Sequence, residues 1–538
     1  MATKAHLKRS EIGLKTPKLY NRIRTTIETA FYRNNVIRVE TLEEAYQLAK
    51  HSPGTIITDI PVHRPLDLGL SEDAKVLIFN DGIITGRQAQ ARRLIDPSNL
   101  DHYASILRDA IFESRTRTMY HASVIIGLHE DFSVKAHLLV PEGYENTLYS
   151  WMLNFQDINE ETLSMYRNSK ELDEGDIYFY SDPDFILDGH EDGLALFDRD
   201  HNCAAVLGMR YFGEHKKGSL TMAWSIAQRN GFTPCHGGQK RIERKGKSPY
   251  IMGVFGLSGS GKSTITHDKH QNKYDITVLH DDAFVIADRD TSSVSLEPSY
   301  FDKVQDYPTD SEDNRYLLTI QNVGATLDEE GCIVPVTEDI QSGNGRAIKS
   351  KFWTPARKYK FEEPVNAIFW IMKDDTLPPL LKIHPSDLAS TMGATLATKR
   401  SSAEHGADLT KLAVVPYANP FRLYPLSHDY NKFKDIFEKH QVECYIINTG
   451  HFQDKKIPPH VTLRAIESLI DETTTFKPFP LLKDTEVAEI EGFEVPYDDA
   501  NYCELFKARM KTRIEYLKNL DARDQLPEEA FQSILKRL

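Results

Sequence analysis

The stretch Val254-Phe255-Gly256-Leu257-Ser258-Gly259-Ser260-Gly261-Lys262-Ser263-Thr264 decides how the chain is read. The apolar run Tyr250–Phe255 predicts a strand, and Ser263 and Thr264 open a helix. Between them Gly256, Gly259 and Gly261 free the backbone to aim several N–H groups at one anion. Lys262 then reaches the terminal phosphates, and the Ser263 hydroxyl meets the metal ion that accompanies them. Strand, glycine-rich loop ending in Lys-Ser, and helix together predict a nucleoside triphosphate site. What receives the phosphoryl group is not written in the loop.

Working outward, Val278-Leu279-His280-Asp281-Asp282 places two carboxylates at the C-terminal end of a strand. Asp281 and Asp282 stand where such an enzyme holds its magnesium ion, directly or through water. Upstream, Tyr211-Phe212-Gly213-Glu214-His215-Lys216-Lys217-Gly218 sets two lysines side by side. Each disfavours the charge of the other, and partial burial lowers an amine pKa further, so one of them is a candidate neutral ligand or proton donor.

Short apolar runs at residues 76–79, 123–128, 135–140, 176–180 and 204–207 predict a mixed sheet with helices packed on it. Strands continue beyond the loop at 276–279, 367–371 and 444–448, amphipathic helices are predicted over 42–49 and 502–520, and a charged helix over 429–440. Residues 1 to about 60 read as helical and polar. The basic, glycine-containing segment 237–248 reads as a solvated hairpin or linker, and 387–408, rich in Ser, Thr, Ala and Gly, as a surface connection or a loop that closes over substrate. The expected architecture is α/β with two mixed α/β domains, residues 1–240 and residues 241–538, the second carrying the loop.

At 538 residues the chain is long for one hydrophobic core. A formal charge of -14 argues against nucleic acid or an anionic membrane as a general partner and suits an enzyme of anionic small molecules with a local basic site. Cys203, Cys235, Cys332, Cys444 and Cys503 show no C-x-x-C spacing, so neither a disulfide framework nor a zinc site is signalled. With no apolar leader and no window resembling a membrane span, a cytoplasmic location is expected. The oligomeric state is left open.

These motifs resemble the ATP-dependent branch of the phosphoenolpyruvate carboxykinases. That branch has a loop of the form G-L-S-G-T-G-K-T-T, close to Gly256 through Thr264 here, with the Leu257-Ser258 pair narrower than the general pattern. Its Tyr-Gly-Gly-Glu-Met-Lys-Lys-Gly is similar to Tyr211 through Gly218. Its metal-binding histidine stands nineteen residues beyond the second lysine, the separation of Lys217 from His236. An early Thr-Gly-Arg resembles Thr85-Gly86-Arg87, a Glu six residues before Lys resembles Glu297 and Lys303, and an Asn-x-Arg resembles Asn344-Gly345-Arg346. The run Tyr445-Ile446-Ile447-Asn448-Thr449-Gly450 is similar to the family's Y-L-V-N-T-G.

The resemblance implies a substrate domain and a nucleotide domain with the active site in the cleft between them. It implies conversion of oxaloacetate and ATP to phosphoenolpyruvate, carbon dioxide and ADP, with magnesium and manganese as cofactors. Residue by residue, Lys217 as a neutral amine, His236 and Asp282 would ligate manganese; Lys262 and Ser263 would hold the phosphates and magnesium. Arg87, Tyr211 and Arg346 would hold the carboxylate substrate, the guanidinium forks matching carboxylates, and Lys303 would contact the phosphoryl group in transit. The chain departs from the family after the acidic pair, where Ala283-Phe284-Val285-Ile286-Ala287 replaces polar residues, and after Arg87, where Gln88-Ala89-Gln90-Ala91 replaces Ser-Pro-Lys-Asp. Two further readings follow: a kinase of the same scaffold acting on a hydroxyl, and a nucleotide-sensing protein without catalysis.

Overall fold

The computed structural model describes residues 22–80, 91–169, 174–257, 259–304, 308, 311–340, 345–354, 356–399 and 412–538. Arg87 with its neighbours Thr85 and Gly86, Ser258 and Asn344 lie outside the described residues. The chain divides into two compact units, Met1–Ile226 with Leu296–Pro355, and Ala227–Ser295 with Ala356–Leu538. A single division at residue 240 therefore does not describe them: the first crossing comes earlier, and 296–355 returns to the first unit. The return is made by strand pairing, because Leu317–Gln321 hydrogen-bonds in parallel to Lys75–Phe79 across more than two hundred residues of chain. No local pattern announces such a partner.

The first unit holds an eight-stranded sheet in which Val36–Val39, Met119–His129, Phe132–Pro141, Ile177–Asp182, Cys203–Leu207, Leu194–Asp198 and Arg92–Leu94 lie in that order. Ile23 and Ile27 of the helix Arg22–Ala30, and Tyr103, Leu107 and Ala110 of Leu100–Glu113, close over one face of it against Leu139, Tyr180 and Ala205. A second, five-stranded sheet runs Tyr300–Lys303, Arg346–Lys349, Leu317–Gln321, Lys75–Phe79, Ile56–Pro61. The N-terminal region is thus less helical than expected, since Val36–Val39 and Ile56–Pro61 are strands. The expected helix over 42–49 is Leu42–His51, opened by a capping box in which the Thr41 hydroxyl accepts from the Glu44 N–H and the Glu44 carboxylate accepts from the Thr41 N–H.

The second unit is built on an eight-stranded sheet ordered Ile276–His280, Gly238–Ile242, Tyr250–Phe255, Ala367–Met372, Glu443–Asn448, Leu380–Ile383, Thr485–Ala488, Phe476–Pro478. Its three middle strands are parallel, with Val254 beside Phe369 and Phe369 beside Tyr445. Buried on both faces, they read as continuous apolar runs and so were visible in the sequence. Two expectations are corrected here. Residues 237–248 are no linker, because Gly238–Ile242 is an interior strand paired on both sides. Residues 387–408 begin as the buried helix Ser386–Ala394, not a surface connection.

Candidate functional site

The strand Tyr250–Phe255 delivers the loop and the six-residue helix Lys262–His267 follows it. Gly261 caps that helix at a φ of 98°, a conformation that a side chain would make costly. The loop's carbonyls are turned away and held: Lys373 Nζ donates to Gly259 O at 2.6 Å, and Thr449 Oγ1 to Ser260 O at 2.7 Å. Thr449 is the threonine of the Asn-Thr-Gly motif, so two segments singled out separately meet here. Ser263 and Thr264 are exposed at the start of the helix, while Lys262 is buried.

Lys262 Nζ donates to the Asp281 carbonyl and lies 3.8 Å from Asp282 Oδ1. Asp282 is brought to His236 by strand pairing: Phe232–His236 runs antiparallel to Ala283–Ala287, with His236 opposite Ala283. As a result His236 Nε2 stands 3.1 Å from Asp282 Oδ1. The other imidazole nitrogen, Nδ1, donates to the Ala418 carbonyl at 2.5 Å. That bond fixes the ring and directs Nε2 toward the carboxylate, the arrangement by which proteins orient a metal-binding histidine. Tyr417 and Ala418 both adopt positive φ, 52° and 55°, so the backbone that presents this carbonyl is held in a costly conformation.

The departure after Asp282 has a structural cause. All five residues of Ala283–Ala287 are buried, so this strand is core that aligns His236, not a surface facing substrate. Asp281 is placed differently from its neighbour: its carboxylate lies 3.2 Å from His267 Nε2. Burial pushes the Asp281 carboxyl up, but the hydrogen bond and charge of His267, with Lys262 and His280 nearby, outweigh this and hold it well below the usual range. Among the described residues no group of three or more His, Cys, Asp or Glu side chains is poised for a metal. His236 and Asp282 supply two donors of the type that suits manganese.

In the first unit, Lys303 lies opposite Arg346, Arg346 opposite Gln321, and Gln321 opposite Phe79. The four form one row across the five-stranded sheet, at the C-terminal end of Lys75–Phe79. Neighbours in such a row project to one face. Gln321 is a residue the sequence reading missed. It is fully buried, and neither of its amide atoms has a hydrogen-bond partner among the described residues. Only the registers place it beside Arg346 and in one row with Lys303.

The helix Phe212–Arg229 carries Lys216 and Lys217. Lys216 is fully buried and pairs with the equally buried Glu297 at 3.0 Å, while Asn154 Nδ2 donates to the same carboxylate at 2.6 Å. The Glu297 singled out by its spacing from Lys303 is therefore the counter-charge of Lys216. Lys217, one residue on, is half-buried, and Tyr211 is buried with its ring 6.5 Å from that of Phe301.

A family model described as phosphoenolpyruvate carboxykinase matches residues 76–496. The chain belongs to that family. Among individual proteins it is similar to the ATP-dependent phosphoenolpyruvate carboxykinase of Aeropyrum pernix, 27% identical over 302 residues, which are 54% of this chain and 60% of that protein. The glycosomal ATP-dependent enzyme of Trypanosoma brucei is 24% identical over 284 residues, 50% and 57% of the two chains. That of Dictyostelium discoideum is 21% identical over 404 residues, 70% and 68%. The chain thus spans about three fifths of the length of the first two relatives.

Proposed function

We propose that the protein catalyses the reversible conversion of oxaloacetate and ATP to phosphoenolpyruvate, carbon dioxide and ADP. The observation that carries this reading is the double role of Asp282, whose carboxylate faces the phosphate-loop lysine at 3.8 Å and the His236 imidazole at 3.1 Å. A phosphate-binding cation and a metal-type pair share one carboxylate, as a reaction combining phosphoryl transfer with enolate chemistry requires. The relatives' names supply ATP as the donor.

In this reading Lys262, Ser263 and the N–H groups of the loop hold the nucleotide phosphates with their magnesium. His236 and Asp282 hold manganese, with Lys217 in the amine role that the resemblance gives it. When bound, manganese supplies positive charge that favours the enolate formed as the C–C bond to carbon dioxide breaks. Arg87, Tyr211 and Arg346 hold the carboxylate substrate. The enolate oxygen forms its bond to the terminal phosphorus of ATP, the bond from that phosphorus to the ADP oxygen breaks, and Lys262 and Lys303 offset the charge that moves between them. The five cysteines are all free thiols, and among the described residues no helix is long and apolar enough to cross a membrane, in keeping with the cytoplasmic enzyme we propose.

The test is an assay of purified protein with ATP, oxaloacetate, magnesium and manganese, following phosphoenolpyruvate and carbon dioxide together. Equal yields of both that depend on oxaloacetate support the proposal. Phosphorylation of a hydroxyl acceptor, with no phosphoenolpyruvate formed, assigns the scaffold to a kinase instead.

A further inference from the structure

The large sheet of the first unit carries a polar cluster that the proposed reaction does not use. Three neighbouring strands place Ser123 opposite His137 and His137 opposite Tyr178, while Arg38 on the edge strand lies opposite His121. Ser123 Oγ is 2.7 Å from His137 Nδ1, His121 Nε2 is 3.1 Å from the same nitrogen, and His137 Nε2 is 3.0 Å from Asp176 Oδ2. The same face further along is apolar, with Leu139, Tyr180 and Ala205 under the helix Arg22–Ala30. Polar residues therefore replace core residues at one end of a buried face, and they do so around an open space.

That space is a cavity of about 240 Å³ whose walls include Phe31, Tyr32, Tyr178 and Ile158. Arg38, Lys135 and Glu40 also line it, two cations against one carboxylate. Neither Arg38 nor Lys135 has an ion-pair partner among the described residues, and His121 Nδ1 is buried without a hydrogen-bond partner. Burial, with the charges of Arg38 and Lys135 and the neighbouring His137, pushes the His121 imidazole down to about 3, so it stands neutral. Arg38 and Lys135 offer an anion two charged partners, with Glu40 in the same lining and the Asp176 carboxylate behind His137 as the opposing charges. The aromatic walls ask for a flat apolar body. Scaling from the ~150 Å³ that holds benzene, the volume suits about ten non-hydrogen atoms.

We propose that this cavity is a binding site for a small planar organic anion, an aromatic or similarly flat carboxylate or phosphate. Its charged group meets Arg38 and Lys135, and its apolar part lies against Phe31 and Tyr178. The cavity belongs to the first unit and the phosphate loop to the second.

The experiment is calorimetric titration of the full chain with benzoate, phenyl phosphate and, as the neutral match, benzamide. Saturable binding of either anion, not of benzamide, is expected, and the Lys135→Gln and Arg38→Gln variants should each weaken it about tenfold. Binding stronger for benzoate than for phenyl phosphate assigns the carboxylate source, and the reverse order the phosphate. Arg38 is exposed, so its variant tests the site even if Lys135→Gln fails to fold. Lys262→Ala should leave the affinity unchanged. No binding at millimolar concentration, equal binding of benzamide, or binding lost in Lys262→Ala but kept in Arg38→Gln overturns the proposal.

Discussion

The two ends of the helix Lys262–His267 are each served by a buried lysine, and the two lysines do opposite things. At the front Lys262 meets the Asp281 carbonyl and approaches Asp282 at 3.8 Å. At the rear Lys240, on the interior strand Gly238–Ile242, donates to Ile265 O at 2.6 Å and lies 2.9 Å from His270 Nε2, whose Nδ1 is 2.9 Å from Glu467 Oε1. The rear closes the helix's last carbonyls inside the protein, and its chain of contacts ends on a carboxylate. Burial pushes the Lys240 amine down to about 7, with Asp268 and Glu467 only partly opposing it. At the front Lys262 stands beside the Asp282 carboxylate where the loop meets its helix, the place that the proposed reading gives to the phosphates and their magnesium ion. In the proposed reading one end serves the ligand and the other the fold.

The sharpest way to break this comparison is to remove the front charge. Lys262→Ala should lower turnover by about 10³-fold while the melting temperature stays within a few degrees of wild type, because the residue serves the ligand. A variant that keeps a tenth or more of the activity would show that the front lysine is structural like the rear one. Next in size, His236→Asn should weaken manganese binding about 100-fold, read by electron paramagnetic resonance of the free ion without any turnover. Manganese affinity unchanged in that variant removes His236 from the metal site, whereas Lys262→Ala should leave the affinity close to wild type.

The front was legible in the sequence and the rear was not. Loop, lysine and acidic pair lie within thirty residues, and each is a local pattern with a chemical reason. His236 entered by spacing alone; the antiparallel pairing that sets it on Asp282, and the Ala418 carbonyl behind it, have no local signal. Lys240 sits in a segment whose composition reads as solvated and basic, because only the register with Ile276–His280 and Tyr250–Phe255 puts its strand inside the sheet. The helix Ser386–Ala394 was missed for a related reason. Its small residues look like loop composition, yet a Cβ on Gly393 would meet the Trp370 ring at 2.7 Å, and Trp370 Nε1 donates to Ala389 O at 3.0 Å. Smallness there serves close packing. The row of Lys303, Arg346 and Gln321 likewise depends on two long-range registers.

A third test addresses the rear. The folded Lys240 amine gives up its proton near pH 7, whereas in the unfolded chain it holds it to about 10.5. Between those values the unfolded state binds the extra proton, so stability gains as pH rises, by about 1.4 kcal/mol per pH unit from this group. Below pH 7 both states are protonated and the contribution is flat. Subtracting the denaturant stability of Lys240→Met from that of wild type at several pH values isolates the slope. Parallel curves for the two proteins from pH 7 to 10 would mean that the amine is not desolvated in the fold.

The smallest effect is expected where the front is merely braced. Thr449→Val keeps the volume and removes the hydroxyl that donates to Ser260 O at 2.7 Å. The carbonyl then turns to solvent or to a neighbouring N–H, and the loop loses this side-chain tether while Lys373 still holds Gly259 O. One neutral hydrogen bond contributes about 1 kcal/mol, so nucleotide affinity should fall roughly fivefold with little change in turnover once the site is saturated. Removing the second tether in Lys373→Met, Thr449→Val should cost more than the two single changes added together, since each tether limits the freedom the other leaves. Strict additivity in that cycle would mean that the two carbonyls are held independently and that the loop's shape is set by its glycines alone.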